Sequence, residues 1–413
     1  MRKGGQECRK KEIGARVLNT LSRVLDGSVE FSRDPRAVYG RDEWMAILAE
    51  MGRSGTTAAD AIEALKEEGR DVPSERWFLD VVHSIRPAVL QSVCDGMVSE
   101  TARLAIREGV YSGGRGATVG IDKHLIGRYD RNNMRHLVYS EPKNGTKRFE
   151  AYATMQIVGG PINATLRSAR VTRGTDNVDF VREFMRVLDY YNLRTRLVLL
   201  DREFYAVDVT RAIAGSGRDF LMPAVRNARV KRLIEDFDSG TGGAVVEHTI
   251  RNSRGEESSF RLVIVRRAGD RGKKAAGGGE EIADGYAVFA TSLPASRALS
   301  EIGDLPEEYR GRWGIETGYR QIEGVRPWTT SRDDAYRRFL FAFALFLYNM
   351  WAIERARAGA RLGNITLRML ARMALAVARQ RLPAVPDDPG GRDPGTGAAA
   401  RHVRACAGEA AAA

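Results

Sequence analysis

The spacing of hydrophobic and polar positions changes several times along the 413-residue chain. Up to about residue 112, apolar residues recur every three or four positions. They do so in Trp44, Ile47, Leu48 and Met51 and again in Trp77, Leu79, Val82, Ile85 and Leu90, a pattern that predicts amphipathic helices. Residues 56–60 can cap a helix through Ile62, Leu65 and Lys66 that ends at Gly69, and Pro73, Ser74 and Glu75 suit the start of the next. From about 115 the pattern is strand-like. The runs 117–121, 149–158, 162–171, 197–200 and 220–222 are apolar or β-rich, and Gly159, Gly160 and Pro161 mark a hairpin between two of them. Helices are expected after Asp176 or Asn177 and near 207–213.

Strand-like runs at 245–251, 259–267 and 285–292, set among turn-rich segments that include a glycine-rich loop at 269–279, read as a β-rich insertion. Helical spacing returns around Glu316 and from about 333 to 357. The expected organisation is therefore a helical region (1–112), a first α/β part (113–224), the insertion (225–295), a second helical part (296–382) and a flexible tail rich in Pro, Gly and Ala (383–413). The strand and helix order of the α/β part is what a ribonuclease H-like mixed sheet requires, although other α/β folds share it.

Composition narrows the function. With 43% hydrophobic and 29% charged residues the chain can bury real cores. The longest apolar stretch, 339–353, contains Asn349 and falls short of the roughly twenty residues that span a bilayer, so it reads as a buried helix and no membrane partner is expected. No apolar leader follows the charged N-terminus, and Cys8, Cys94 and Cys406 show no metal or disulfide spacing, so the expected setting is a reducing cytoplasm. A formal charge of +12 favours a polyanion, nucleic acid above all. The two short helices after residue 56 suit a helix-turn-helix that contacts DNA, a spacing that structural helical hairpins share.

Two carboxylates stand where chemistry is expected. Asp122 and Asp201 each follow an apolar run, which places them at the carboxyl ends of strands, where open α/β sheets keep their ligand crevice. A strand-end Asp capping a turn is the plainer alternative for either one alone. A third feature is the segment 309–323. On a single helix, Tyr309, Arg312, Glu316, Tyr319 or Arg320, and Glu323 share one polar and aromatic face, while Gly311, Gly314 and Gly318 each cost about 1 kcal/mol. Basic residues crowd both neighbourhoods, with seven Lys/Arg against two acids over 123–148 and seven Arg against four acids over 309–338. Trp313, Trp328, Tyr286 and Phe289 are aromatic candidates for stacking on an unpaired base, with core packing the more ordinary role for each. His124 reads as a bystander, Glu203 as a turn residue and Asp176 as a helix cap.

These blocks together resemble prokaryotic insertion-sequence transposases of the Asp-Asp-Glu class. The match is to the subgroup with a Tyr-Arg-Glu-Lys signature and a β-rich insertion before the glutamate helix. Asp122 in Val-Gly-Ile-Asp, Asp201 in Leu-Val-Leu-Leu-Asp-Arg-Glu-Phe-Tyr, and Tyr309, Arg312 and Glu316 at the signature spacing carry it, with 328–332 and 347–351 downstream. The likeness covers roughly 115–357. It implies that Asp122, Asp201 and Glu316 are catalytic and hold two Mg²⁺ ions, replaceable by Mn²⁺, with Asp122 bridging both. It further implies double-stranded DNA partners (terminal inverted repeats and target DNA), a homodimer on DNA, and a place beside the nucleoid in a prokaryotic cytoplasm. Tyr309, Arg312, Tyr319, Arg320, Lys123, Arg326 and Trp328 are the expected DNA-binding residues. The signature lysine falls at Glu323 here, where Arg320 or Arg326 would have to supply the charge. No Gly-x-x-x-x-Gly-Lys-Ser/Thr loop occurs, which speaks against ATP as the energy source. A nuclease that cuts without joining, or an inactive DNA-binding derivative, are the rival readings.

Overall fold

The structure is a computed structural model that describes residues 2–26, 28, 29, 31, 38–109, 116–129, 136–267, 285–358 and 365–384. The loop expected at 269–279, Cys406, and nearly all of the expected tail lie outside the described residues. In chain order the first elements are helices α1 (Arg2–Leu25), α2 (Arg41–Ser54), α3 (Ala58–Glu67), α4 (Glu75–Ser84) and α5 (Pro87–Arg107). Strands β1 (Ala117–Arg128), β2 (Val138–Lys143), β3 (Thr146–Val158) and β4 (Thr165–Val171) follow, then α6 (Asn177–Tyr190), β5 (Thr195–Leu200), α7 (Val207–Gly215), β6 (Phe220–Pro223) and α8 (Ala228–Asp238). The chain continues through β7 (Val245–Arg251), β8 (Glu257–Arg266), β9 (Tyr286–Thr291), α9 (Ala295–Ser300), α10 (Leu305–Arg310), α11 (Trp313–Glu323), α12 (Asp334–Ala358) and α13 (Leu367–Arg381). It divides into two compact units, Met1–Thr101 with Gln321–Ala413, and Ala102–Arg320.

The first unit is helical for the reasons its sequence suggests. The Thr57 hydroxyl accepts the Asp60 N–H at 3.2 Å while the Asp60 carboxylate accepts the Thr57 N–H at 3.4 Å, a reciprocal cap that starts α3. Ser74 does the same job for α4 by accepting from the Trp77 N–H. Trp44 is fully buried between Phe78 and Phe339, at 5.5 Å from each ring. Helix α12 is long and apolar enough to cross a membrane, but 89% of its apolar window is buried inside the protein, so it forms a core. Its one amide, Asn349, is satisfied by donating to the Thr101 hydroxyl at 2.9 Å.

The second unit is built on one mixed nine-stranded sheet, in the order β2-β3-β1-β5-β6-β9-β8-β7, with β4 also paired to β3. Strand β1 is its joint, since it runs antiparallel to β3 on one side and parallel to β5 on the other. Strand β2 was not legible as a separate strand. Its hairpin to β3 turns on Asn144 and Gly145, whose φ angles of 51° and 80° suit the Asn-Gly two-residue turn. The strands expected for the insertion form, and they continue the same sheet because β9 pairs antiparallel with β6 (Leu221 opposite Thr291). This is a ribonuclease H-like mixed sheet with helices.

Candidate active site

The parallel ladder between β1 and β5 ends at Ile121 opposite Leu200, so the next residue on each strand, Asp122 and Asp201, leaves the ladder beside the other. Asp201 ends its strand as expected. It caps the short 3₁₀ turn Arg202–Phe204, accepting the Arg202 N–H at 2.6 Å. Asp122 does not end its strand, contrary to expectation. Strand β1 runs six residues further, to Arg128, because β3 still supplies backbone partners on the other side, with Thr154 opposite Asp122. Only the parallel partner is lost there.

The third carboxylate arrives on a helix that is not continuous with Tyr309, as a single helix over 309–323 would have been. The chain breaks at Gly311 into α10 and α11. Ile315 of α11 is buried against bare backbone at Gly120, where a Cβ would come within 2.4 Å of Ile315 Cδ1. That close seat brings Arg312 and Glu316 over β1. Arg312, 7% exposed, donates from Nη1 to Asp122 Oδ2 at 3.1 Å and from Nη2 to Glu316 Oε1 at 2.9 Å, and stands over the Tyr309 ring at 5.7 Å. The Tyr319 hydroxyl lies 3.1 Å from the Asp122 carbonyl and 2.6 Å from the Thr154 hydroxyl, and its ring stacks on His124 at 4.3 Å. Tyr319 therefore ties α11 to β1 and β3 from within the core. Its expected position on a substrate-facing surface gives way to a buried one, because its hydroxyl meets the Asp122 carbonyl and the Thr154 hydroxyl on the strands beneath α11.

The electrostatics follow from burial. Burial pushes the Asp122 carboxyl up to about 6; Arg312 and the Lys123 N–H oppose that rise, while Asp201 and Glu203 add to it. Burial also lifts the Tyr309 hydroxyl to about 12. For Arg312 burial works against the charge, yet Tyr309, Asp122, Asp201 and Glu316 together raise its pKa. Among the described residues no group of three or more His, Cys, Asp or Glu is arranged to hold a metal ion. The donors are nonetheless all hard carboxylate oxygens, which suit Mg²⁺ or Mn²⁺, and the buried Asp122 charge calls for a cation that Arg312 here provides.

The expected DNA-binding residues fall into two groups. Arg320 is exposed, with its guanidinium 3.3 Å from the Thr317 hydroxyl, and Trp328 is 55% exposed. Trp313 at the start of α11 is 63% exposed, so neither tryptophan takes the core role that is more ordinary for it, whereas Tyr286 and Phe289 do. The other basic residues are engaged within the protein. Lys123 Nζ lies 3.0 Å from Glu203 and 3.2 Å from Asn177, and Arg326 is bound to Glu323 at 2.7 Å instead of substituting for the signature lysine. Tyr309 is half-buried. Thr154 and Gly120 were missed in the sequence. In a run as uniformly buried as 149–158, no alternation singles out a threonine beneath a site.

The family model of the transposase DDE domain matches residues 130–350, a span that includes Asp201 and Glu316 and begins after Asp122. Among solved structures, a cryo-EM structure of the piggyBac transposase synaptic complex with hairpin DNA is similar in fold, with a TM-score of 0.53 and 12% identity over 90% of this chain and 79% of that one. No curated protein matches.

Proposed function

The chain belongs to the transposase DDE-domain family, and we propose that it binds the terminal inverted repeats of a DNA element, cleaves the ends and joins their 3′-hydroxyls to target DNA. The observation that carries this reading is that Asp122 and Glu316, from a strand and a helix, share the Arg312 guanidinium, while Asp201 ends the adjacent strand beside Asp122. Asp122, Asp201 and Glu316 would hold two Mg²⁺ ions, with Mn²⁺ as substitute, which supply Lewis acidity for the attacking and leaving oxygens of a phosphodiester. The rest of the work belongs to the chain. Tyr319 fixes the β1 backbone at Asp122, and Ile315 on Gly120 sets the height of Glu316 above the sheet. Arg320, with its exposed charge, contacts the DNA backbone, and the exposed Trp313 and Trp328 offer flat faces to unpaired bases. Tyr309 and Lys123 act beside the scissile phosphate, Lys123 through its hold on Glu203.

The fold neighbour is a synaptic complex on DNA, and pairing two element ends calls for two active sites, so we assign a homodimer on double-stranded DNA, in the cytoplasm beside the nucleoid. One observation favours a second reading. Glu323, at the position of the signature lysine, is neutralised by Arg326, which suits a derivative that binds DNA without cutting it.

The test incubates the purified chain with DNA from the ends of its own element and Mn²⁺, beside Asp201→Asn. Wild type should nick the ends and yield joined product, and the variant should do neither. Equal cleavage by both proteins defeats the proposed mechanism, binding without cleavage selects the second reading, and cleavage without joining leaves a nuclease.

A further inference from the structure

Arg312 is placed oddly for a residue whose task is to hold DNA. Its side chain is 8% exposed, its two terminal nitrogens lie 3.1 and 2.9 Å from Asp122 and Glu316, and it also hydrogen-bonds the Tyr309 side chain. Its third donor, Nε, is buried without an acceptor. A guanidinium carries five N–H donors, so Arg312 keeps donors to spare for a further anion. Glu316 is held loosely by contrast, with half of its side chain in solvent.

Resting on the proposed catalytic role of the carboxylates, we infer that Arg312 is an internal stand-in for a divalent cation. Its guanidinium neutralises Asp122 and Glu316, the charge that a metal ion held by them would otherwise supply. Metal loading and transfer of Arg312 to a DNA phosphate are then one exchange. Two like charges a few ångströms apart in a low-dielectric pocket oppose each other, so a metal ion and the guanidinium cannot both keep these carboxylates. The planar fork that spans two carboxylates equally suits a phosphate, and Nε then gains the acceptor it lacks. The break at Gly311 sets Arg312 in the junction between α10 and α11, with the Tyr309 ring beside its path. The consequence is a safeguard, since the protein binds metal weakly until DNA is present to receive the arginine. A residue that merely organises the carboxylates for metal would have the opposite effect on affinity.

The experiment titrates Mn²⁺ into the full-length protein and reads free Mn²⁺ by electron paramagnetic resonance, with and without element-end duplex. Without DNA, Arg312→Gln should bind Mn²⁺ about tenfold or more tightly than wild type. Duplex should tighten Mn²⁺ binding to wild type but not to the variant, and by reciprocity Mn²⁺ should tighten duplex binding only in wild type. Arg312→Lys keeps the charge without the fork. It should keep the weak metal affinity and lose the DNA-linked gain, which provides the test should the glutamine variant fail to fold. Equal or weaker Mn²⁺ binding by a folded Arg312→Gln, or an unaltered DNA-linked gain in Arg312→Lys, overturns the exchange. Asp122→Asn and Glu316→Gln separate the two levels. If they abolish Mn²⁺ binding while the Arg312 variants change nothing, only the exchange fails. If they leave it intact, the metal site itself is wrong and both readings fall.

Discussion

Glu354 on α12 and Asp122 on β1 are both carboxylates taken largely out of water, and they are provided for very differently. Glu354, 1% exposed, receives Nε and Nη2 of Arg16 at 2.9 and 2.7 Å and Nη1 of Arg357 at 2.9 Å. One buried negative charge there has two cations. Around Asp122 the ratio is reversed, because Asp122 and Glu316 share Arg312 while Asp201 and Glu203 add further negative potential at Asp122. The first arrangement is complete and holds the helical unit together. The second lacks positive charge, and such a deficit in a defined place marks a site that expects a ligand.

Four measurements test this contrast. The largest effect is expected for Glu316→Gln, which should lower DNA cleavage by about a thousandfold or more while leaving the unfolding midpoint nearly unchanged, since Glu316 is half exposed. A matching loss of stability would show the deficient site to be structural after all. Next comes Arg16→Met, which keeps the aliphatic stem and leaves Glu354 with one cation. It should cost about 3 kcal/mol in denaturant unfolding, with cleavage per folded molecule unaltered.

A smaller effect concerns pH. The Asp122 carboxyl sits near 6 in the folded protein against 3.8 as its ordinary value. The folded state thus holds this proton more tightly, so the contribution to stability is complete below about pH 4 and is lost as pH rises through 6. In metal-free buffer wild type should lose about 3 kcal/mol across that window. Asp122→Asn should stay level there and be the more stable protein at pH 8, and Mn²⁺ should close the gap. A variant less stable at every pH would mean that Arg312 already satisfies the site. Smallest, Tyr319→Phe should cost about 1 kcal/mol by removing the hydroxyl between Thr154 and the Asp122 carbonyl. No loss in a melting curve would release Tyr319 from its role as the tie between α11 and the strands.

Much of this molecule could be read in the chain. The caps at Thr57 and Ser74, the buried helix around Asn349 and the hairpin at 159–161 are written in residues a few positions apart, so local chemistry suffices to find them. The strand end at Asp201 was also legible, because its strand does stop there. What could not be read depends on partners distant in sequence. Strand β1 passes Asp122 because β3 is beside it; α11 sits low because Gly120, nearly two hundred positions earlier, has no side chain in the way; and Tyr319 points inward because the Asp122 carbonyl and the Thr154 hydroxyl lie beneath it. Periodicity tells which residues of an element share a face, but not which face another element will cover.

The chain alone was enough for the kinds of element, the candidate carboxylates and the basic residues near them in sequence. Tertiary structure alone decided which charges meet. Arg312, expected among the DNA-binding residues, lies between Asp122 and Glu316, because a guanidinium drawn into a pocket of carboxylates loses its water and takes the nearest anions in exchange.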